Sequence, residues 1–303
     1  MAIGAASVAQ LFGQGGGFPG EPLFGPSGPD QTGTGSEAAL PPRPYFSHDQ
    51  PLKLGLLLLF MVGGGVLAVV GRPGWRKACL VAAVGLLGLY MGGYLCPTAA
   101  VQNVFLKAGT AYLLLFLVPV VGALLMGRIF CGYVCPFGAL QELLHVRRWS
   151  LHIPDRILRA LGWLRYAALV ALVARVLVVH TAILEGFSPF KPLFAWGGTP
   201  LTIGFTAVVA LLSIVVFRPF CGVLCPYGAL LSLVSRVSLV RLRAGSGCRG
   251  CNLCTRACPA GAMRGGEVDT TECLLCGACA GTCKPDALRL GLRWKRTESK
   301  GAA

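Results

Sequence analysis

Eight of the fourteen cysteines in this 303-residue chain fall in two runs of one spacing. The first is Cys248-x2-Cys251-x2-Cys254-x3-Cys258-Pro259, and the second is Cys273-x2-Cys276-x2-Cys279-x3-Cys283, with its proline one residue late at Pro285. Three thiolates at this spacing wrap one iron–sulfur cube, and the fourth ligand of each cube comes from the other run. The rule assigns one [4Fe–4S] cluster to Cys248, Cys251, Cys254 and Cys283, and a second to Cys258, Cys273, Cys276 and Cys279. Zinc also takes four thiolates. Zinc motifs do not usually need four cysteines per run at 2-2-3 spacing followed by proline. A disulfide framework does not suit a reducing compartment, which is where the charge pattern puts these runs.

Four more cysteines form a duplicated pair. Arg128-Ile-Phe-Cys131-Gly-Tyr-Val-Cys135-Pro-Phe-Gly-Ala-Leu140 matches Arg218-Pro-Phe-Cys221-Gly-Val-Leu-Cys225-Pro-Tyr-Gly-Ala-Leu230. Proline is tolerated in the first turn of a helix, so Cys135 and Cys225 are expected near helix N-termini. The positive end of the dipole there favours a thiolate or an anionic cluster. Gly132 and Gly222 allow tight backbone beside the first cysteine of each pair. Each copy is expected to close a span at its cytoplasmic end and to open an amphipathic helix. Two such loops would present Cys131, Cys135, Cys221 and Cys225 to one shared site at the membrane surface, either an additional cluster or a thiol redox site. The competing reading is structural, with small cysteines packing a helix break. A fainter copy at Gly93–Gln102 keeps only Cys96-Pro97 and reads best as a turn with a buried cysteine, against an outer redox or docking site.

The elements that hold these residues follow from composition. The chain is 54% hydrophobic and 13% charged, with mean hydropathy +0.67, whereas soluble domains carry about a quarter charged residues. Five apolar runs approach the length of a bilayer span: Leu54–Gly71, Ala78–Leu95, Ala108–Met126, Tyr166–Leu184 and Leu201–Phe217. In lipid they must be helices, because each backbone polar group needs an internal partner. Gly63, Gly64 and Gly65 suit close helix approach. The expected fold is an all-α membrane bundle of about five transmembrane helices with a C-terminal α+β two-cluster ferredoxin-like domain. The boundaries are a Gly/Pro-rich disordered tail over 1–50, a membrane region over 51–243, the cluster domain over 244–290 and a basic tail over 291–303. The tail lacks the basic start and apolar stretch of a signal peptide; a misassigned start codon is the other reading.

The net charge of +15 is not a nucleic-acid signal, because its distribution alternates. Arg72, Arg76 and Lys77 follow the first span, and Arg128, Arg147, Arg148, Arg156, Arg159 and Arg165 lie between the third and fourth. Thirteen Lys and Arg follow the fifth, while the opposite loops hold Arg43, Lys53, Lys107 and Lys191. Positive loops mark the cytoplasmic side, so the cluster domain is expected inside and the N-terminus outside. Anionic lipid and the acidic surface of a redox partner are the expected counter-charges.

Single residues carry weaker signals. Arg175 lies mid-span, where a charge is functional by default; it reads equally as a contact for a quinone head group and as a snorkelling side chain. His180 reads as a hydrogen-bonded interior residue, and four histidines leave little room for paired haem ligands. The aromatic stretch Phe187–Trp196 is expected outside as an interface anchor, with a quinol pocket or a partner surface as its alternative. Cys79 reads as packing.

Together the segments FCGYVCPFGALQE and FCGVLCPYGALLS and the double cysteine run resemble the membrane polyferredoxins of the NapH/NosR type, over residues 54–290. The resemblance implies a multi-pass protein of the bacterial cytoplasmic membrane that moves electrons between the quinol pool, or a cytoplasmic donor, and a partner reductase. It implies the same cysteines as ligands and leaves no room for the outer flavin domain of larger relatives. Nothing resembles a nucleophile or paired catalytic carboxylates, so turnover would need another subunit. A maturation or regulatory factor for a respiratory metalloenzyme is the second reading. An ion-translocating subunit is disfavoured, because the spans carry no acidic residues. Reporter fusions at both termini check the orientation: a cytoplasmic reporter is expected to work at the C-terminus, and a periplasm-active reporter working there would overturn the five-span arrangement.

Overall fold

A computed structural model describes residues 50–71, 73–91, 110–150, 155–179, 189–245, 247–248, 250–264, 266–283 and 287–292, with 99, 101, 102 and 104 as isolated positions. Helices occupy each of the five apolar runs. They are α1 (Gln50–Val70), α2 (Pro73–Ala82, continuing as a π-helix over Ala83–Tyr90), α3 (Thr110–Met126), α5 (Asp155–Val179) and α6 (Pro200–Val215). The short helix α4 (Pro136–Leu144) follows the first cysteine pair. Helices α7 (Pro219–Val223) and α8 (Pro226–Ser235) surround the second.

Among the described residues two helical stretches are long and apolar enough to cross a bilayer, Leu52–Val70 and Ala160–Val178. Leu113–Met126 and Pro200–Val215 are shorter. The limits have local causes. Gly127 takes φ 71° and returns its N–H to Ala123 O at 2.8 Å, a glycine stop that ends α3. Thr199 caps α6, whose first residue is Pro200, and Pro219 prevents its continuation. The fourth run starts eleven residues earlier than expected, at Asp155 and not Tyr166. Residues 180–184 and the Cys96 segment lie outside the described residues. Large apolar side chains point away from the bundle, among them Val62 at 66% and Val178 at 79% exposure.

The C-terminal unit begins with β1 (Val240–Ala244), antiparallel to β4 (Leu288–Leu292) with Val240 opposite Leu292 and Ala244 opposite Leu288. This pairing crosses the expected boundary at 243/244. Between the two strands come α9 (Leu253–Ala257), the hairpin β2 (Met263–Arg264) and β3 (Glu267–Val268), and α10 (Ala278–Thr282). Leu274 and Leu275 join the same buried cluster as Leu57, Tyr133, Phe137 and Tyr227, so the unit is packed into the helices. Tyr133 OH donates to Leu275 O at 2.9 Å, and Ser235 Oγ donates to Thr270 O at 2.9 Å.

Close approach explains Gly64 and Gly132 among the glycines singled out from sequence, but not Gly63 or Gly222, which have nothing within 4 Å of an added Cβ. A Cβ on Gly64 would stand 2.8 Å from Tyr133 Cβ, and one on Gly132 would collide with Leu274 O. Gly222, its partner in the repeat, faces open space. The second loop is therefore not tight at its glycine. Gly132→Ala is expected to destabilise the protein by about 1–3 kcal/mol, and Gly222→Ala by less than about 0.5 kcal/mol. Thermal unfolding in detergent compares the two, and equal effects would contradict the packing.

Candidate metal centre

Each cysteine run bends around its sulfurs through residues in the left-handed region. Gly250 (φ 64°) and Asn252 (φ 55°) flank Cys251, and Leu275 (φ 52°) and Gly277 (φ 74°) flank Cys276. The two runs therefore repeat one backbone path, including two left-handed residues that are not glycine. Such a path turns successive N–H groups towards one point, an anion-binding concavity. Ala262 N donates to Cys258 Sγ at 3.3 Å, and the backbone N–H groups of Leu275, Ala278 and Ala280 serve Cys273, Cys276 and Cys279.

The runs exchange their fourth cysteines. One cavity is lined by Cys248, Cys251, Cys254 and Cys283, with Gly250, Gly266, Ala287 and Leu288 among its other walls. Cys283 belongs to the second run and Cys248, Cys251 and Cys254 to the first. Conversely, Cys258 lies within electrostatic range of Cys273, Cys276 and Cys279. Among the described residues no three Cys, His or carboxylate side chains stand as close as the ligands of a single ion. A four-iron cube is a larger body held by four thiolates, and four thiols with apolar backing are the donor set it takes. Burial pushes the Cys273 and Cys279 thiols up to about 12, reinforced by neighbouring sulfurs and partly offset by the backbone N–H groups. Such thiols keep their protons until a metal displaces them.

The two sets differ in exposure. Cys248 and Cys251 are exposed, whereas Cys279 is buried and Cys273 packs against the main helical core. The inner set therefore abuts the first membrane loop, since Gly132 touches Leu274.

The duplicated pairs come together. Cys131, Cys135, Cys221 and Cys225 are buried at 6–8% exposure. Cys135 lies in range of Cys131 and Cys225, and Cys221 in range of Cys131 and Cys135. Cys135 and Cys225 are the N-cap residues of α4 and α8, and Gly228 N donates to Cys225 Sγ at 3.3 Å. The backbone N–H of Gly138, in the first turn of α4, likewise serves Cys135. Burial raises Cys135 and Cys221, and the neighbouring sulfurs add to it. The helix after each pair has a buried and an exposed face: Tyr227, Ala229 and Leu231 of α8 are buried and Leu233 is 40% exposed, and Phe137 and Ala139 of α4 are buried and Leu143 is 41% exposed.

Sequence reasoning missed the charges that hold the pairs. Glu142, seven residues after Cys135, bonds Arg76 Nη2 at 2.9 Å and Arg218 Nη2 at 2.6 Å. Arg218 also donates to Cys131 O. In the other half Arg128 bonds Glu272 Oε2 at 3.1 Å and Thr271 O at 2.8 Å, and Arg165 also bonds Glu272. The repeat places Ser232 where Glu142 would recur, and Ser232 Oγ lies 2.6 Å from Tyr166 OH. The C-terminal unit thus supplies the carboxylate that the second repeat lacks. One signal was available: Gly74-Trp75-Arg76 and Gly162-Trp163-Leu164-Arg165 extend the repeat to the arginine-bearing helices.

Arg175 is exposed on α5. Phe190 and Phe194 are buried against Phe137 and are not interface anchors; the ring centroids of Phe137 and Phe190 are 5.4 Å apart, and those of Phe190 and Phe194 are 5.5 Å apart. Trp196 is 42% exposed. Cys79 is half-buried beside Tyr133 O, a packing position. His180 lies outside the described residues.

A model of the 4Fe-4S binding domain family matches residues 108–154 and 198–245, the two membrane repeats and not the C-terminal runs. An uncharacterized protein of Methanocaldococcus jannaschii is 30% identical over 213 residues, 67% of this chain and 88% of its own length. Regulatory protein NosR of Pseudomonas aeruginosa is 34% identical over 175 residues, 52% of this chain. Ferredoxin-type protein NapH of Escherichia coli is 26% identical over 198 residues, 59% of this chain and 67% of its own length. The chain spans about a quarter of the length of NosR. No solved structure matches.

The Glu142 clamp has a pH signature. Burial alone would raise its carboxyl, but Arg218 and Arg76 pull it down to about 2. A depressed carboxylate stabilises the fold above its ordinary value near 4.5, and that stability is lost as pH falls towards 2. Glu142→Gln leaves two buried guanidiniums short of a counter-charge and is expected to cost about 3–5 kcal/mol at pH 7. The difference from the parent protein should shrink below pH 4, and a pH-independent difference would show that the clamp does not act through charge.

Proposed function

Because this chain belongs to the NapH/NosR-type family of 4Fe-4S membrane ferredoxins, we propose that it is a multi-pass membrane electron carrier holding three iron–sulfur clusters. The first would rest on Cys248, Cys251, Cys254 and Cys283, and the second on Cys258, Cys273, Cys276 and Cys279. The third would rest on Cys131, Cys135, Cys221 and Cys225. Bound clusters supply one-electron transfer. The carrying observation is the cavity in which Cys283 of one run closes the cysteines of the other. Two identically spaced runs need not cross in this way, and two-cluster proteins of this spacing do.

The chain's own residues provide three things. Backbone N–H groups face the sulfurs and favour their anionic form. Arg76 lies near Cys276, and Arg218 near Cys135 and Cys221, so buried positive charge stands beside two of the thiol sets. Exposure falls from the first set to the third, so a soluble partner can approach Cys248 and Cys251 while water is excluded from the membrane pairs. The C-terminal unit is read as cytoplasmic and the apolar helices as spans. The exposed Trp75 and Trp163, at 63% and 72%, occupy matching repeat positions as interfacial anchors. The quinol pool or a cytoplasmic donor, together with a partner reductase, completes the circuit. A redox-regulatory role is the second reading, favoured by the name of one relative, Regulatory protein NosR.

Anaerobic iron counting tests the assignment. The full chain is expected to hold about twelve iron atoms, and a variant with all four membrane-pair cysteines changed to Ser about eight. Cys283→Ser should lose the cluster of the first run and spare that of the second, as read by their separate paramagnetic signals. Eight irons in the parent chain would remove the third cluster. Loss of the second-run signal in Cys283→Ser would remove the crossed assignment.

A further inference from the structure

The sequence places the duplicated cysteine pairs at the membrane surface, whereas the geometry puts their tips much deeper. After Cys135 the chain descends through α4, and Val146 N then donates to Ile214 O at 3.0 Å, at the cytoplasmic end of α6. After Cys225 it descends through α8, and Leu239 N donates to Leu124 O at 2.9 Å, at the cytoplasmic end of α3. Helix α4 has nine residues and α8 has ten, a rise of about 14 to 15 Å. Each Cys-Pro tip therefore stands that far above the cytoplasmic ends of the long helices.

Contacts at the tips agree. Tyr227, two residues beyond Cys225, donates its hydroxyl to Phe116 O at 3.0 Å. Phe116 lies eight residues, or about 12 Å, up α3 from Leu124. In the first repeat Phe137 meets Phe220 with ring centroids 5.2 Å apart, and Phe220 meets Phe205 at 6.3 Å. Phe205 lies nine residues, or about 13 Å, up α6 from Ile214. The opposite side of the bundle closes the site. Phe190 packs on Phe137 at 5.4 Å, and Phe194 fills the space beside Gly88, where Pro136 also stands.

We propose that the two Cys-Pro loops are re-entrant hairpins that hold their cysteine quartet near the middle of the bilayer, with the Phe190–Phe194 segment covering it from the far side. This rests on the membrane reading given under Proposed function, in which the hydrocarbon core is about 30 Å thick. Backbone that breaks from a continuous α-helix at that depth is tolerated only where protein buries it, and the π-helical turn Phe130–Val134 is buried throughout. The site takes an iron–sulfur cluster shielded from both aqueous phases, unlike that of the first run, whose Cys248 and Cys251 are exposed. A centre at that depth reaches about half-way to the opposite face.

The test uses the full protein in liposomes. A dysprosium chelate is added to both aqueous phases, and the relaxation of each reduced cluster signal is measured. The first-run signal should relax strongly, and the signal lost in Cys135→Ser/Cys225→Ser should respond several-fold less. Equal enhancement of the two would overturn the placement. A protein with no third signal would instead fail the three-cluster reading, and a metal-independent measurement then decides the depth. Phe137→Trp, with the five native tryptophans changed to Phe, is reconstituted with lipids brominated near the headgroup or near the chain end. Stronger quenching by the deep bromine is expected, and stronger quenching by the shallow one would return the loops to the membrane surface.

Discussion

How the two membrane cysteine loops face each other, and how the C-terminal unit docks on them, depends on four buried arginines and two glutamates. Arg76, Arg128, Arg165 and Arg218 are 2–9% exposed, and a guanidinium taken out of water is costly unless it is paired and hydrogen-bonded. Glu142 pairs with Arg76 and Arg218, and Glu272 with Arg128 and Arg165. The bonding is alike in both halves, down to a buried Nε without a partner on each arginine. Arg218 reaches out of the second repeat to Cys131 O in the first, so the pairing also fixes how the two cysteine loops face each other. The two clamps are not equivalent in what they join. One is internal to the helices, and the other docks the C-terminal unit, because the second repeat has Ser232 in place of a glutamate and Arg128 and Arg165 pair with Glu272. The residue after Glu272 is Cys273, so the ion pair that attaches the unit also sets the place of an inner-set thiol.

Electrostatics and burial act together at these clamps. Two arginines and one glutamate leave one positive charge in a site of low dielectric, where it is weakly screened. Arg76 lies near Cys276, and both Arg218 and Arg128 lie near Cys221. Those thiols are desolvated and so are raised in their protonated form. A positive charge held nearby offsets the cost of any anionic state they adopt, including that of a bound cluster. Removing the charge would leave the desolvation uncompensated. The clamps are therefore at once the mechanical connection between the repeats and the counter-charge of the site.

The cysteine runs were legible in the sequence because ligand spacing is a local property: 2-2-3 spacing fixes how far a short loop curls. The presence of helices at the five apolar runs was legible for the same reason. Their lengths were not, since glycine stops such as Gly127 and the switch from α- to π-helix at Ala83 shorten or widen them without changing hydropathy. The Cys-Pro motif showed a helix start but not its direction or depth, which depend on Val146 meeting Ile214 and Leu239 meeting Leu124. Glu272 was the least legible of all. It lies 144 residues from Arg128, and its partner is defined only by what the second repeat lacks at Ser232. A missing residue in a repeat is informative only once the contact made by its counterpart is known.

The same argument explains why the aromatic stretch near Phe190 was misread. Aromatic residues between spans ordinarily sit at the interface, where one face is apolar and the other wet. Phe190 and Phe194 have no polar atom to present to water, and the Cys-Pro tips leave apolar walls at Phe137 and Pro136 that need covering. Phe194 enters the space left by Gly88, where a Cβ would collide with its ring. Burying the two rings removes apolar surface at roughly 25 cal/mol per Å² and keeps water from the cysteine quartet. Stability and insulation of the site thus come from one contact. A smaller side chain at either phenylalanine would weaken both together, whereas a larger one at Gly88 would expel the ring and open the site from the far side.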